Sequence, residues 1–221
     1  MSLFKIGVYG KLPSHPDFVS ANVSSEITVE LYEWLQHVIH HSKEQLNESE
    51  WLSSYLISPI WRVYYPSKSN KYDPWIGIML PSVDAIGRYF PLFFIFQVDA
   101  EKLRGAWLFQ EASTLFNVME NVGIAALQQR LSLDQVMSLL EEKTKNFELG
   151  EALMPPNAIR KDQYTIDKLC SLSIADLTGS LWWSMGEING AIKPFIHFSQ
   201  LPDSKEYQFL LTGSLLGMEC K

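Results

Sequence analysis

Apolar and polar positions change period several times along the chain, and each change marks an element. Residues 3–9 alternate as a first strand does, and Gly10-Lys11-Leu12-Pro13 ends it, because glycine and proline break a strand ladder. A loop through Ser14-His15-Pro16-Asp17-Phe18 follows. From about Glu26 onward, Ile27, Leu31, Trp34, Leu35 and Val38 recur at the spacing of one face of an amphipathic helix, with Glu30, Glu33, Gln36 and His37 opposite. A short helical piece is expected near 51–56, and Pro59 then opens a β-rich block of three runs, 60–65, 75–80 and 91–98. The last two are apolar almost throughout, which is the pattern of strands covered on both faces, so helices are expected on each side of the sheet.

Leu108, Ala112, Leu115, Phe116 and Met119 share one face of the next helix. Ser132-Leu133-Asp134-Gln135 opens another with a capping-box pattern, and Leu133, Val136, Met137 and Leu140 line it. The stretch 148–173, with Pro155-Pro156 and mixed polarity, reads as an irregular excursion. Strands over 179–185 and near 192–198 and a helix over 204–211 close the chain. Trp182 and Trp183 are neighbours in a strand and must point to opposite faces, so at least one is core. Trp61, Arg62, Trp75, Trp182 and Trp183 are assigned structural roles within these runs. The whole, 1–221, is expected to form a single domain, a three-layer α/β/α sandwich around a mixed, mostly buried β-sheet.

Composition narrows the function. With 221 residues, 47% of them hydrophobic and 13% aromatic, the chain can bury a substantial core. A formal net charge of −7 and the lack of any basic run argue against nucleic acid or an acidic membrane surface, so the expected partners are proteins. Cys170 and Cys220 have neither CxxC spacing nor a companion cluster, and read as reduced thiols. The N-terminus lacks a basic segment leading into an apolar one, and the run 89–96 contains Pro91 and is far shorter than the roughly 20 residues of a membrane span. A cytoplasmic location without membrane insertion is therefore expected.

Catalytic patterns are weak. Gly7-x-x-Gly10-Lys11 has two residues between its glycines where a P-loop has four, and Leu12 stands where that loop needs a hydroxyl for Mg²⁺. His37, His40 and His41 could lie within one helical turn, but without an HExxH glutamate. Ser14, His15 and Asp17 are the residue types of a hydrolase triad crowded into one loop, and no GxSxG elbow exists. No cofactor or metal is expected. Asp84 and Arg88, four apart in a segment of turn and strand character, are expected to pair and brace that loop.

Several segments together resemble the TagF family, also called ImpM, of type VI secretion-associated proteins. They are Gly7-Val8-Tyr9-Gly10-Lys11-Leu12-Pro13-Ser14-His15-Pro16-Asp17-Phe18-Val19, Ser58-Pro59-Ile60-Trp61-Arg62-Val63, Trp75-Ile76-Gly77, Pro81-Ser82-Val83-Asp84, Gly87-Arg88-Tyr89-Phe90-Pro91-Leu92, Ser180-Leu181-Trp182-Trp183-Ser184 and Leu201-Pro202-Asp203. Pro16 departs from the glycine usual before Asp-Phe, and Ala85 from the basic residue common after that aspartate. The resemblance implies a post-translational negative regulator that holds the secretion apparatus inactive through the forkhead-associated scaffold protein of the same system, without catalysis. Contact is expected through the loops 11–18 and 82–88, where charged and aromatic residues sit beside turn formers, with Lys11, Asp17, Phe18, Ser82, Asp84 and Arg88 as candidates. The alternative is a small hydrolase or metal-dependent enzyme using Ser14, His15 and Asp17 or the histidines of 37–41. A purely structural subunit of the apparatus is a third reading.

Overall fold

A computed structural model describes residues 5–66, 73–98, 112–145, 179–184 and 196–212. The strands are β1 (Gly7–Lys11), β2 (Phe18–Ala21), β3 (Trp61–Tyr65), β4 (Trp75–Leu80), β5 (Leu92–Gln97), β6 (Ser180–Trp183) and β7 (Ile196–Phe198). The helices are α1 (Ser25–Gln45), α2 (Glu48–Ile57), α3 (Ala112–Gln128), α4 (Leu133–Thr144) and α5 (Ser204–Thr212). Leu108, the excursion over 148–173, and both cysteines lie outside the described residues.

The strands form one seven-stranded sheet in the order β2-β1-β5-β4-β3-β6-β7. Every described pairing is antiparallel, which corrects the expectation of a mixed sheet. Alternation of sequence elements suggested parallel crossovers, and β2 and β3, joined through α1 and α2, do run the same way. They are not neighbours, however: β1, β5 and β4 lie between them, so no parallel ladder forms.

Two apolar layers result from the period-2 alternation of the strands. Ile76, Ile78, Leu80 and Phe94 face Leu115, Phe116 and Met119 of α3 and Val136 and Leu140 of α4. Trp75, Met79, Phe93 and Ile95 face the other way, toward α1, α2 and α5, where Leu35, Trp51 and Leu210 cover them. The three-layer expectation holds, and so does the reading of 75–80 and 91–98 as strand runs covered on both faces: β4 is buried throughout and β5 from Leu92 to Phe96. Trp182 packs against Trp34 of α1 at 5.8 Å between ring centroids, while Trp183 meets Phe116 of α3 edge-on at 5.1 Å. Adjacent tryptophans thus tie one strand to both layers.

Local chemistry sets the helix ends. Ser24 caps α1 by accepting from the Ile27 amide, and Ser132 and Gln135 close the capping box that opens α4. Arg62, buried on β3, binds Glu120 of α3 through Nε at 2.6 Å and Nη2 at 2.9 Å, reaches Asn117 at 2.8 Å, and lies over the Phe116 ring. A forked guanidinium satisfied on several sides can be buried, which explains a charge within so apolar a strand. No helix among the described residues is long and apolar enough to cross a membrane.

Candidate functional site

One end of the sheet gathers the chain exits of β1 and β4 and the entries of β3 and β5. Two loops meet there: 12–17 after β1, and a small hairpin over 81–91 between β4 and β5. An antiparallel bridge joins Val83 and Tyr89, the Asp84 amide donates to Arg88 O at 3.1 Å, and the Gly87 amide to Asp84 O at 3.1 Å. Gly87 sits at φ +89°, a conformation that favours glycine at the hairpin tip. Gly10 is constrained more tightly: at φ +131° a Cβ would collide with Pro91 O, so β1 can approach the hairpin base only without a side chain.

The Asp84 carboxylate is the centre of the hairpin. It accepts from Lys11 Nζ at 2.8 Å, from Arg88 Nε at 2.7 Å, and from the amides of Ile86 and Arg88 at 3.1 and 2.9 Å. Burial alone would raise its pKa, but the Lys11 bond, followed by those of Arg88 and Ile86, outweighs burial and holds the carboxyl well below the usual range. The expected Asp84–Arg88 pair exists. The stronger partner is Lys11, which comes from 73 residues away and is buried with Asp84.

Ser82 and Tyr55 fix the base of the hairpin. Tyr55 of α2 donates its hydroxyl to Ser82 O at 2.8 Å and accepts from the Ser82 amide at 3.0 Å, while Ser82 Oγ donates to Lys11 O at 2.6 Å. Burial, the largest influence, pushes the Tyr55 phenol well above its ordinary pKa, so it stays neutral and keeps the proton it donates. Beside it, Phe18 packs edge-on against Phe90 at 4.7 Å and against Tyr32 at 5.6 Å, with the Lys11 ammonium 5.1 Å from the Phe18 ring.

Hydrogen bonds from both sides hold loop 12–17. The His15 amide donates to Leu12 O at 3.0 Å and the Ala85 amide to His15 O at 2.8 Å, and Arg88 Nη2 bonds Pro16 O. From the turn between α3 and α4, Arg130 Nη2 reaches Pro13 O at 2.6 Å and Leu131 O accepts from Ser14 Oγ at 2.6 Å.

This geometry sorts the candidate residues. Lys11, Ser82 and Asp84 are buried and build the loops from within. Asp17, whose side chain is 80% exposed, and Arg88, at 52%, face solvent, with Phe18 half-buried beside them. Pro16 and Ala85, the two departures from the family pattern, are also exposed.

The triad residue types do not assemble as nucleophile, base and orienter. Ser14 Oγ lies 2.9 Å from His15 Nδ1, but its single proton goes to Leu131 O, so His15 Nδ1 is left the donor of that contact. The Asp17 carboxylate accepts from the Phe18 amide at 2.8 Å and sits 3.9 Å from Arg88 Nη2. The Lys11 amine, bound to Asp84, is turned away from any phosphate role. On α1, His40 pairs with Glu44 at 3.3 Å, and His37 and His41 line an open groove of about 570 Å³ with Glu33, Trp34 and Asp203. Among the described residues no group of three His, Cys, Asp or Glu is placed to hold a metal ion.

No match was found among curated proteins. The chain is similar in structure to the crystal structure of PA0076 from Pseudomonas aeruginosa PAO1, with a TM-score of 0.74 over 98% of each chain at 24% identity, a likeness that establishes the fold. A family model for the TagF N-terminal domain, described as type VI secretion system-associated, matches residues 7–142. That span runs from β1 to α4, holds both loops of the candidate site, and covers more than half of the 221 residues, so the chain belongs to the TagF N-terminal domain family of type VI secretion-associated proteins.

Proposed function

We propose that this protein is a cytoplasmic post-translational repressor of a type VI secretion system that works by stoichiometric binding of the forkhead-associated scaffold protein, not by turnover. The observation that carries this reading is the family match across both loops, joined to the use of their polar groups. Lys11, Asp84, Ser82 and Tyr55 are buried and spend their hydrogen bonds on one another and on the hairpin, which stiffens the loops from within rather than leaving groups poised for proton transfer.

Sequestration obeys mass action, so the blocked fraction of scaffold follows the regulator's concentration relative to the dissociation constant. Titrating the regulator in cells should silence secretion in graded fashion, and excess scaffold should restore it. Complete repression by sub-stoichiometric regulator would overturn the reading, because only a catalyst inactivates many targets per copy.

A further inference from the structure

The sheet ends on β2 with an open edge. In the order β2-β1-β5-β4-β3-β6-β7 this strand pairs with β1 alone, so among the described residues its outer edge meets no other strand. Edge strands usually carry a lysine, a proline or a bulge that deters a further strand. Phe18-Val19-Ser20-Ala21 has neither lysine nor proline, and it pairs with β1 residue for residue, without a bulge. A row of free backbone groups accepts one kind of occupant, another extended chain.

The helix beside this edge is uncharged where it borders the strand. Ser25, Val29, Tyr32 and Gln36 recur at i, i+4, i+7 and i+11, which is one stripe of α1, and all four are exposed, Val29 at 54% and Tyr32 at 43%. The stripe adjoins β2, because the Tyr32 ring packs edge-on against Phe18 at 5.6 Å. Glu30 and Glu33 turn to the groove on the other flank of α1, with Trp34 and His37. At the loop end of the strand, Lys11 and Arg88 offset Asp84 and Asp17, so that corner is neutral. Strand and stripe together make a strip without net charge in a chain of net charge −7.

That neutrality selects the occupant. Two copies of an acidic chain repel each other except across a surface that carries no net charge. A two-fold axis normal to the sheet at the centre of β2 lays the strand antiparallel to its own copy and sets the two α1 stripes facing each other over the new ladder. Each Asp17 then lies at an outer end of that ladder, away from its copy. We infer that the protein forms a two-fold dimer in which β2 pairs with β2 of a second copy, one sheet runs through both, and Val29 and Tyr32 of each copy pack across the axis. This dimer does not depend on scaffold binding.

Sedimentation equilibrium of the purified full chain over a range of concentrations, with circular dichroism on every variant, tests the inference. The wild type should reach a dimer, and hydrogen exchange should show amides within Phe18–Ala21 slowing as concentration rises. Val29→Asp and Ser20→Lys, which set like charges across the axis, should each raise the dimer dissociation constant about tenfold or more. Ile124→Asp, at an exposed position of α3 in the opposite layer, should change it by no more than about twofold. A wild type that stays monomeric at every concentration overturns the inference, as does a dimer that both edge variants leave intact. If the β2 amides of a monomer slow only when the forkhead-associated scaffold is added, the edge takes a strand of that partner, and self-pairing is overturned while scaffold binding stands.

Discussion

Lys11→Met should destabilise the protein more than Arg88→Ala, although sequence spacing draws attention to the arginine. Lys11 Nζ and the Asp84 carboxylate are 2.8 Å apart, with side-chain exposures of 6% and 0%. Removing one partner of a buried pair costs about 3–5 kcal/mol, because the other charge stays out of water. Arg88 Nε and the two loop amides still hold Asp84, so the low end applies, about 3 kcal/mol. The Arg88 side chain is half in solvent, and exposed pairs contribute about 0.2–1 kcal/mol. At about 2–4 °C per kcal/mol for a chain of this size, the melting temperature should fall about 6–12 °C for Lys11→Met and at most about 4 °C for Arg88→Ala. Urea denaturation gives the free energies, and adding Asp84→Asn completes a double-mutant cycle in which the Lys11 and Asp84 losses should be strongly non-additive. An Arg88→Ala loss equal to that of Lys11→Met, or additive Lys11 and Asp84 effects, would refute the reasoning.

Three further outcomes follow from the same contacts. Tyr55→Phe leaves the Ser82 carbonyl with the Phe90 amide but strips the buried Ser82 amide of its acceptor, so a loss of about 1–3 kcal/mol is expected by urea denaturation. Tyr207→Phe is the contrast: its buried hydroxyl has no partner among the described residues, so stability should hold or rise, and a loss above about 1 kcal/mol would reveal a partner. The Asp84 carboxyl is depressed in the folded state, so its contribution is fully present above the unfolded pKa of about 3.9 and is lost as pH falls toward the folded value. The stability gap between wild type and Asp84→Asn should therefore be flat above about pH 5 and shrink below about pH 4; a gap that widens with acid would reverse the assigned sign.

What the sequence made legible is what local pattern controls. The apolar runs at Trp75–Leu80 and Leu92–Gln97, the α1 stripe and the Ser132–Gln135 capping box all carry their signal within a few residues, and each forms as expected. The sheet's antiparallel character was not legible, because strand neighbours depend on which elements insert between β2 and β3, and no local pattern encodes that. β2 was missed for a related reason: Phe18–Ala21 is four residues long and pairs on one side only, against β1. Asp84 with Arg88 could be found at a spacing of four, whereas Lys11 could not, since only the fold brings residue 11 to residue 84. The available hint was a lysine set between apolar residues at a strand end, a position that a cation holds at low cost only with a partner.

The loop end draws on both helical layers, and this determines how its variants must be read. Tyr55 enters from the α2 side and Arg130 and Leu131 from the α3–α4 turn, so the conformation of 12–17 and of the hairpin belongs to the whole sandwich and not to the loops alone. A substitution at Lys11, Ser82 or Asp84 that weakens partner binding would therefore report lost bracing as readily as a lost contact. Ile86 differs, because its side chain is largely in solvent and the tip turn is held by the backbone bonds of Asp84, Gly87 and Arg88. Affinity lost at Ile86 with stability unchanged separates recognition from support, and affinity lost at Lys11 in proportion to stability identifies support. If Lys11→Met were instead to abolish binding at temperatures where the fold remains intact, the buried ammonium would have to reach the partner, and the assignment of Lys11 to the bracing interior would fail.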